Sequence, residues 1–320
     1  MLFTYHREAG KLVQGATPPE AALWLDLCKP SAEEAALVAP LVPEVPTLED
    51  LEEIEISSRL YHDGDVEVMI VLVPGISHDD NVTPIIGPAA FILGRGRLVT
   101  VRYHKPRPFE TYPPRADKVG LGCEGPERLF LGLCEEIIGR IADLLEGAGR
   151  ALDQVTRAIF KPGGEGVEAA FLQQALEVSG RQSDMVGNCR LSLLTLERAL
   201  GFFRIGLEER GLLGPYKSTI VGLTQDIKSL EVHGDYLSAR VSQVTDATLG
   251  MINLAQNTTV RIVSVVAALF LPPTLVASVY GMNFRVMPEL DWAWGYGFAL
   301  GLMLLSAVVT FLVFKWKKWL

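Results

Sequence analysis

Apolar and polar positions divide the chain into stretches of different period. From residue 1 to about 105, short apolar runs alternate with turn residues, the pattern of a mixed α/β domain. "AALWLDLC" (21–28) reads as a strand, and "SAEEAALVAP" opens a helix with Ser31 and Glu34 in capping-box spacing. "SRLYHDGDVEVMIVLVPG" reads as two strands about an Asp63-Gly64 turn, and "AAFILGRGRLVTVRY" as two more about Gly94–Gly96. Between about Glu127 and Leu213 apolar residues recur at intervals of three and four. "KPGGEG" (161–166) breaks that pattern, which predicts an antiparallel pair of long helices. After "GLLGPYK" no proline occurs until Pro272, so the chain can run from about Tyr216 to Tyr280 as one helix. That is about 65 residues, or close to 100 Å. Such a helix lacks support unless it packs on the helical pair or on copies of itself.

Two stretches carry no charge, Ile262–Tyr280 and Gly295–Phe314. Each is about 20 residues, enough to span roughly 30 Å of hydrocarbon. Buried core helices share this composition, but two such runs back to back predict a helical hairpin across a membrane. Arg261 precedes the first run, and Lys315, Lys317 and Lys318 follow the second. Positive charge at both outer ends predicts that both termini are cytoplasmic, with the intervening loop outside the cell (inner) membrane. Trp292, Trp294, Trp316 and Trp319 stand where interfacial anchors against lipid are expected. "MLFTYHREAGKLVQG" has no apolar signal region, so everything before the first span is expected to stay on the side of synthesis. The expected fold is an α/β cytoplasmic domain with a long helical stalk and a two-helix transmembrane hairpin, assembled as a homo-oligomeric funnel. Its parts are the α/β domain (1–125), the helical pair (126–215), the stalk running into the first span (216–280, with 262–280 in the membrane), an outer loop (281–294), the second span (295–314) and a basic tail (315–320).

The formal net charge is −9 despite the basic tail. An acidic soluble part argues against nucleic acid as a partner. It is compatible with divalent cations, and equally with an ordinary acidic surface. The four cysteines form no CxxC pair and are expected to be reduced, buried thiols without a metal. His62, His78, His104 and His233 have no ligand at helical spacing. Gly94–Gly96 lacks both the GxxxxGK[ST] pattern and a following helix, so a hairpin turn is expected rather than a phosphate loop. With neither a nucleotide motif nor a nucleophile–base pair, no enzyme is expected.

A stripe on the long helix points to function. Stepping back by 3.5 residues from Gly281 meets Ser278, Thr274, Leu271, Ala267, Ser264, Val260, Asn257, Asn253, Gly250 and Asp246, nearly all small or polar. The flanking faces carry Ile262, Val265, Val266, Leu269, Phe270, Leu275, Val276 and Val279. Small residues on one face also serve tight helix dimers. This stripe, however, continues past the membrane and ends in a carboxylate, as the wall of a wet conduit would. One helix cannot enclose a pore, so a parallel symmetric ring is expected. The triplet Gly281-Met282-Asn283 would then close its outer end. Gly281 lets the helix terminate, and Asn283 offers one neutral amide oxygen per subunit. Mg²⁺ sheds its waters reluctantly, and a ring of amide oxygens can hold the hydrated ion without a carboxylate trap. Glu289 and Asp291 in the outer loop would raise the local cation concentration. Asn after Gly at a helix end is also ordinary capping chemistry.

"YGMNF…MPELDWAWGYGFAL…KWKKWL" resembles the CorA divalent-cation channels, whose signature is Tyr-Gly-Met-Asn-Phe followed by Met-Pro-Glu-Leu. The close match covers about 240–320; before it only the order of elements is similar. The resemblance implies a homopentamer with two spans per subunit and the triplet as the filter for hydrated Mg²⁺, with Co²⁺ and Ni²⁺ also passing. It implies no cofactor beyond transported or regulatory Mg²⁺. It places pore rings at Thr274, Leu271, Val260, Asn257 and Asp246, and the hydrophobic constriction at Val260 and Val263, shorter than the family's Met and Leu. Members close when cytoplasmic Mg²⁺ binds carboxylates between subunits. The stalk position for that acid holds Gly222 here; Asp226, one turn on, is the nearest substitute, with Asp79 or Asp80 as its partner. Met282 favours the magnesium branch over the ZntB zinc transporters, which usually carry Ile there and are the alternative, proton-coupled reading. A membrane-anchored sensor or scaffold without transport is the alternative of another class.

Overall fold

Tight turns set the register of the N-terminal sheet. Strand β1 (Leu2–Glu8) returns as β2 (Lys11–Gln14) through Ala9 and Gly10, and β6 (Pro84–Gly94) returns as β7 (Arg97–Arg102) through Arg95 and Gly96. Both turns have two central residues at positive φ (49° and 83°; 52° and 74°), the geometry whose twist suits a two-residue hairpin. With β3 (Trp24–Cys28), β4 (Leu60–Asp63) and β5 (Val66–Ile76), the strand order is β2-β1-β3-β7-β6-β5-β4. β3 and β7 pair in parallel, and the other neighbours are antiparallel. The structure, a computed structural model, describes all residues except 16–17, 54, 56–58, 81–82, 119–121, 161–168, 284–286, 289–290, 318 and 320.

The helices are α1 (Ala32–Val38), α2 (Leu48–Glu52), α3 (Pro108–Thr111), α4 (Pro126–Ile159), α5 (Ala169–Glu209), α6 (Lys217–Tyr280) and α7 (Gly295–Trp316). The expected capping box opens α1: Glu34 N donates to Ser31 Oγ (3.2 Å), and Ser31 N to the Glu34 carboxylate (2.9 Å). Thr47 and Asp50 repeat it at α2. The chain divides into two compact units, residues 1–157 with 177–244 and residues 158–176 with 245–320. In the first, one sheet face packs Leu25, Leu27, Ile70, Ile92, Val99 and Val101 with Val38 of α1 and Leu51 of α2. The other face meets the long helices through edge-on aromatic pairs, Phe91 with Phe130 (5.4 Å) and Phe130 with Phe203 (4.8 Å). β3 is therefore buried on both faces, which explains its nearly continuous apolar run.

That second face also buries charge. Arg102 Nη2 donates to Asp26 Oδ2 at 2.7 Å and Arg102 Nε to Oδ1 at 3.1 Å. Thr100 Oγ1 donates to Asp26 (2.8 Å) and receives Trp24 Nε1–H (3.0 Å). The parallel register of β3 and β7, with Asp26 opposite Thr100 and Cys28 opposite Arg102, brings these groups together.

The first part of α6 buries Ile220, Leu223, Ile227, Leu237, Val241 and Val244, an alternating three–four seam. Gly234 lets Arg190 of α5 approach: a Cβ there would lie 3.2 Å from Arg190 Cγ. Ion pairs Arg190–Asp235 (2.9 Å) and Arg240–Asp153 (2.5 Å) flank the seam. α6 continues as helix through Pro272 and Pro273. α7 extends two residues beyond the expected end and takes in Lys315.

Removing one partner of the buried pair leaves an uncompensated charge. Asp26→Ala should cost about 3–5 kcal/mol, seen as an earlier thermal transition of the full chain by circular dichroism. Asp26→Leu combined with Arg102→Met should recover most of that loss. If the double variant melts with Asp26→Ala, the penalty is not that of an orphaned charge.

Candidate ion pathway

The second unit contains two windows apolar enough to cross a membrane, one within α6 (mean hydropathy 2.2) and one within α7 (2.4), each only 6% buried. Such exposed apolar surface suits lipid rather than water.

The stripe lies on an open face of α6. Asp246, Gly250, Asn253, Asn257, Val260, Ser264, Ala267, Leu271, Thr274, Ser278 and Gly281 are all exposed in the single chain, as is Val263. Most of the partly or fully covered positions of the span (Val265, Leu269, Pro272, Pro273, Val276 and Tyr280) fall on the other side at about 100° per residue, with Ala268 at the edge of the stripe. Two stripe hydroxyls are turned onto the helix's own carbonyls: Ser264 Oγ donates to Val260 O (2.8 Å) and Thr274 Oγ1 to Phe270 O (2.7 Å). Each hydroxyl proton is thus used internally, leaving oxygen lone pairs to accept. A cation or its water shell meets acceptors there.

Pro272 and Pro273 donate no backbone hydrogen bond, so the carbonyls of Ala268 and Leu269 lose their helical donors. This local weakening lies one turn from Thr274.

At the end of α6, Gly281 N donates to Ala277 O (2.9 Å) and Met282 N to Val279 O (3.3 Å). The helix ends at Gly281 as expected, but Gly281 is not among the positive-φ glycines, so no left-handed cap closes it. An added Cβ there would lie 3.2 Å from Ala277 O, a contact with the helix's own backbone. Asn283 is exposed, and its side chain makes no hydrogen bond among the described residues. Asp291 is exposed; Glu289 lies outside the described residues.

The sequence profile of the family described as CorA-like Mg²⁺ transporter protein matches residues 19–317. The chain belongs to this family. It is 34% identical over 328 residues to the magnesium transport protein CorA of Escherichia coli (strain K12), covering 100% of both chains. Its fold resembles the complete structure of the CorA magnesium transporter from Methanocaldococcus jannaschii, with a TM-score of 0.74 at 16% identity over 100% of this chain and 99% of that one. It is less similar to the ZntB cytoplasmic domain of Vibrio parahaemolyticus, with a TM-score of 0.55 at 12% identity over 78% of this chain and 97% of that one. The expected architecture, an α/β sheet domain, a long helix and a C-terminal apolar helix pair, is the architecture of this CorA-family chain.

The acids expected to sense cytoplasmic cation have partners that the sequence did not reveal. Lys29 Nζ sits 2.8 Å from Asp79 Oδ1, and this hydrogen bond holds the Asp79 carboxyl below its ordinary range. The Asp80 carboxylate accepts from Thr83 N (3.0 Å) and from Thr83 Oγ1. Asp226 is exposed on α6, and Gly222 has open space around its Cα. Glu135 of α4 is pushed up, chiefly by burial, then by Glu136 and Asp226. Asp226 thus bears electrostatically on Glu135, a link that sequence reasoning missed because the two lie on separate helices. Among the described residues no group of three or more His, Cys, Asp or Glu side chains converges as for a metal.

Proposed function

We propose that this chain forms a homopentameric channel in the cell (inner) membrane, with both termini cytoplasmic, that takes up Mg²⁺ passively and also passes Co²⁺ and Ni²⁺. The observation that carries this reading is the acceptor-bearing stripe of α6, open along its length and ending at Gly281-Met282-Asn283. Copies of α6 with their stripes facing inward would line a conduit with the Thr274, Asn257, Asn253 and Asp246 oxygens, separated by apolar collars at Leu271, Val263 and Val260. Asn283 amide oxygens at the mouth would hold the hydrated ion by its waters. Glu289 and Asp291 would concentrate cations outside it.

Asn283→Ala should abolish selective Mg²⁺ uptake by more than about tenfold while the oligomer still forms, as read by tracer uptake into liposomes and by size exclusion. Wild-type uptake by the assembled variant would remove the filter assignment.

Each unit charge moved through the membrane potential gains about 2.3 kcal/mol per 100 mV, and a divalent ion gains twice that. Uptake should therefore follow an imposed inside-negative potential. Uptake that ignores voltage and instead requires a proton gradient and prefers Zn²⁺ is the outcome expected of a zinc transporter.

For gating we retain Asp79, Asp80 and Asp226 as the proposed acids, brought together between subunits by cytoplasmic Mg²⁺ and repelling one another when it leaves. Replacing all three with Asn should leave the channel conductive at internal Mg²⁺ that closes the wild type. An unchanged inhibition curve would place the sensor elsewhere.

A further inference from the structure

A cavity of about 340 Å³ lies in the first unit between the end of the β5–β6 pair and helices α4 and α5, within the size class of small-molecule sites. Ile76 and Ile85 form one wall, and Leu144 and Met185 the other. Lys105, Arg107 and Arg140 gather at it, with Glu110 and Asn188. None of these groups belongs to the ion pathway.

The fold builds this cluster by close backbone approach. Ile76 and Lys105 exchange backbone hydrogen bonds (3.2 and 3.0 Å), pinning the segment Lys105-Pro106-Arg107-Pro108 beside the strand pair. Only glycine fits at position 75, where a Cβ would lie 2.8 Å from both His104 Cδ2 and Lys105 O. Arg107 O accepts from Glu110 N (2.9 Å) and Thr111 N (3.0 Å), so the arginine is held at the start of α3. Thr111 Oγ1 then donates to Glu136 of α4 (2.6 Å). Glu136 stands one helical turn before Arg140, where an intrahelical ion pair would form. It is used instead by Thr111 and by Arg115 (3.3 Å). Among the described residues, neither Arg107 nor Arg140 makes an ion pair. Two unpaired guanidiniums beside an apolar cavity, in a chain of net charge −9, mark a place for an anion.

We propose that this cavity binds a phosphate monoester carried on a compact ring body, the chemistry of a nucleoside monophosphate. The dianionic phosphate takes Arg107, Arg140 and Lys105, as the guanidinium fork favours. The ring body lies against Ile76, Ile85, Leu144 and Met185. Free phosphate would leave these walls uncovered. A bare acyl chain would give the Glu110 carboxylate no donor, whereas ring amines and sugar hydroxyls do; Asn188 supplies an amide to the ring edge.

The test is equilibrium dialysis of labelled adenosine monophosphate against the full chain in lipid nanodiscs, without divalent cation so that no metal bridges the phosphate. Saturable binding of one molecule per chain is expected, with adenosine and inorganic phosphate each at least about tenfold weaker. Arg107→Ala with Arg140→Ala, the first exposed and the second half-buried, should weaken binding by a similar factor. Met185→Trp should block it by filling the cavity. Both variants should keep the wild-type thermal transition and Mg²⁺ uptake. Absence of saturable binding by the wild type overturns the proposal. So does adenosine binding as tightly as the monophosphate, or full binding by the arginine variant.

Discussion

A helix that carries polar side chains through hydrocarbon must turn them away from lipid, and the rest of this molecule follows from that constraint. Outside water, an unpaired polar group costs several kcal/mol, roughly what burying a large apolar side chain returns. The α6 stripe meets this partly within the chain, by donating the Ser264 and Thr274 hydroxyls to carbonyls one turn back. The amides of Asn253 and Asn257 and the carboxylate of Asp246 lie before the apolar run that begins at Ile262, on an open face where water satisfies them. Within the span the constraint therefore bears on Ser264, Thr274 and Ser278, and the proposed ring, with these faces turned inward, would meet it as well.

Heptad phase separates the two tasks of α6. Ile220, Ile227 and Val241, with Leu223, Leu237 and Val244, form a seam used up within the chain on α4 and α5. Asp246, Asn253 and Val260, with Gly250, Asn257 and Ser264, follow the same seven-residue repeat two positions later, about 200° further round a helix. The repeat that packs the helix on its own chain and the repeat that carries the stripe are thus kept apart, so a partner for one face does not compete for the other.

The parts legible in the sequence were those written in long-period or local chemistry. The spans show as two uncharged runs, the Ser31 capping box as a four-residue pattern, and the stripe as a 3.5-residue step. What stayed hidden depends on distant partners or on backbone angles. The β1–β2 hairpin turns on Ala9 at φ 49°, a conformation alanine does not advertise, and its flanks read as polar. The parallel pairing of β3 with β7, and with it the Asp26–Arg102 pair, joins positions 76 residues apart. Gly281 ends the helix as expected, but without the positive φ of a left-handed cap, which its identity alone does not tell. The Lys29 partner of Asp79 lies 50 residues away on a strand end whose own charge gives no hint of direction.

That last contact bears on how the proposed ring would respond to cations. Carboxylates report the loss of a divalent ion by repelling one another, and a lysine 2.8 Å from Asp79 already cancels part of that repulsion. Asp79 is exposed, however, and an exposed pair on a long flexible side chain is weak and screened by salt. A divalent ion has twice the charge of Lys29 and no rotamer entropy to lose, so it can displace the ammonium where a second carboxylate faces the first. At Gly222 this chain supplies no such carboxylate, whereas Asp226 stands one turn on, and its charge joins burial and Glu136 in pushing the Glu135 carboxyl up. Under the proposed gating, Asp226 rather than Gly222 is therefore the stalk position from which a second carboxylate would face Asp79.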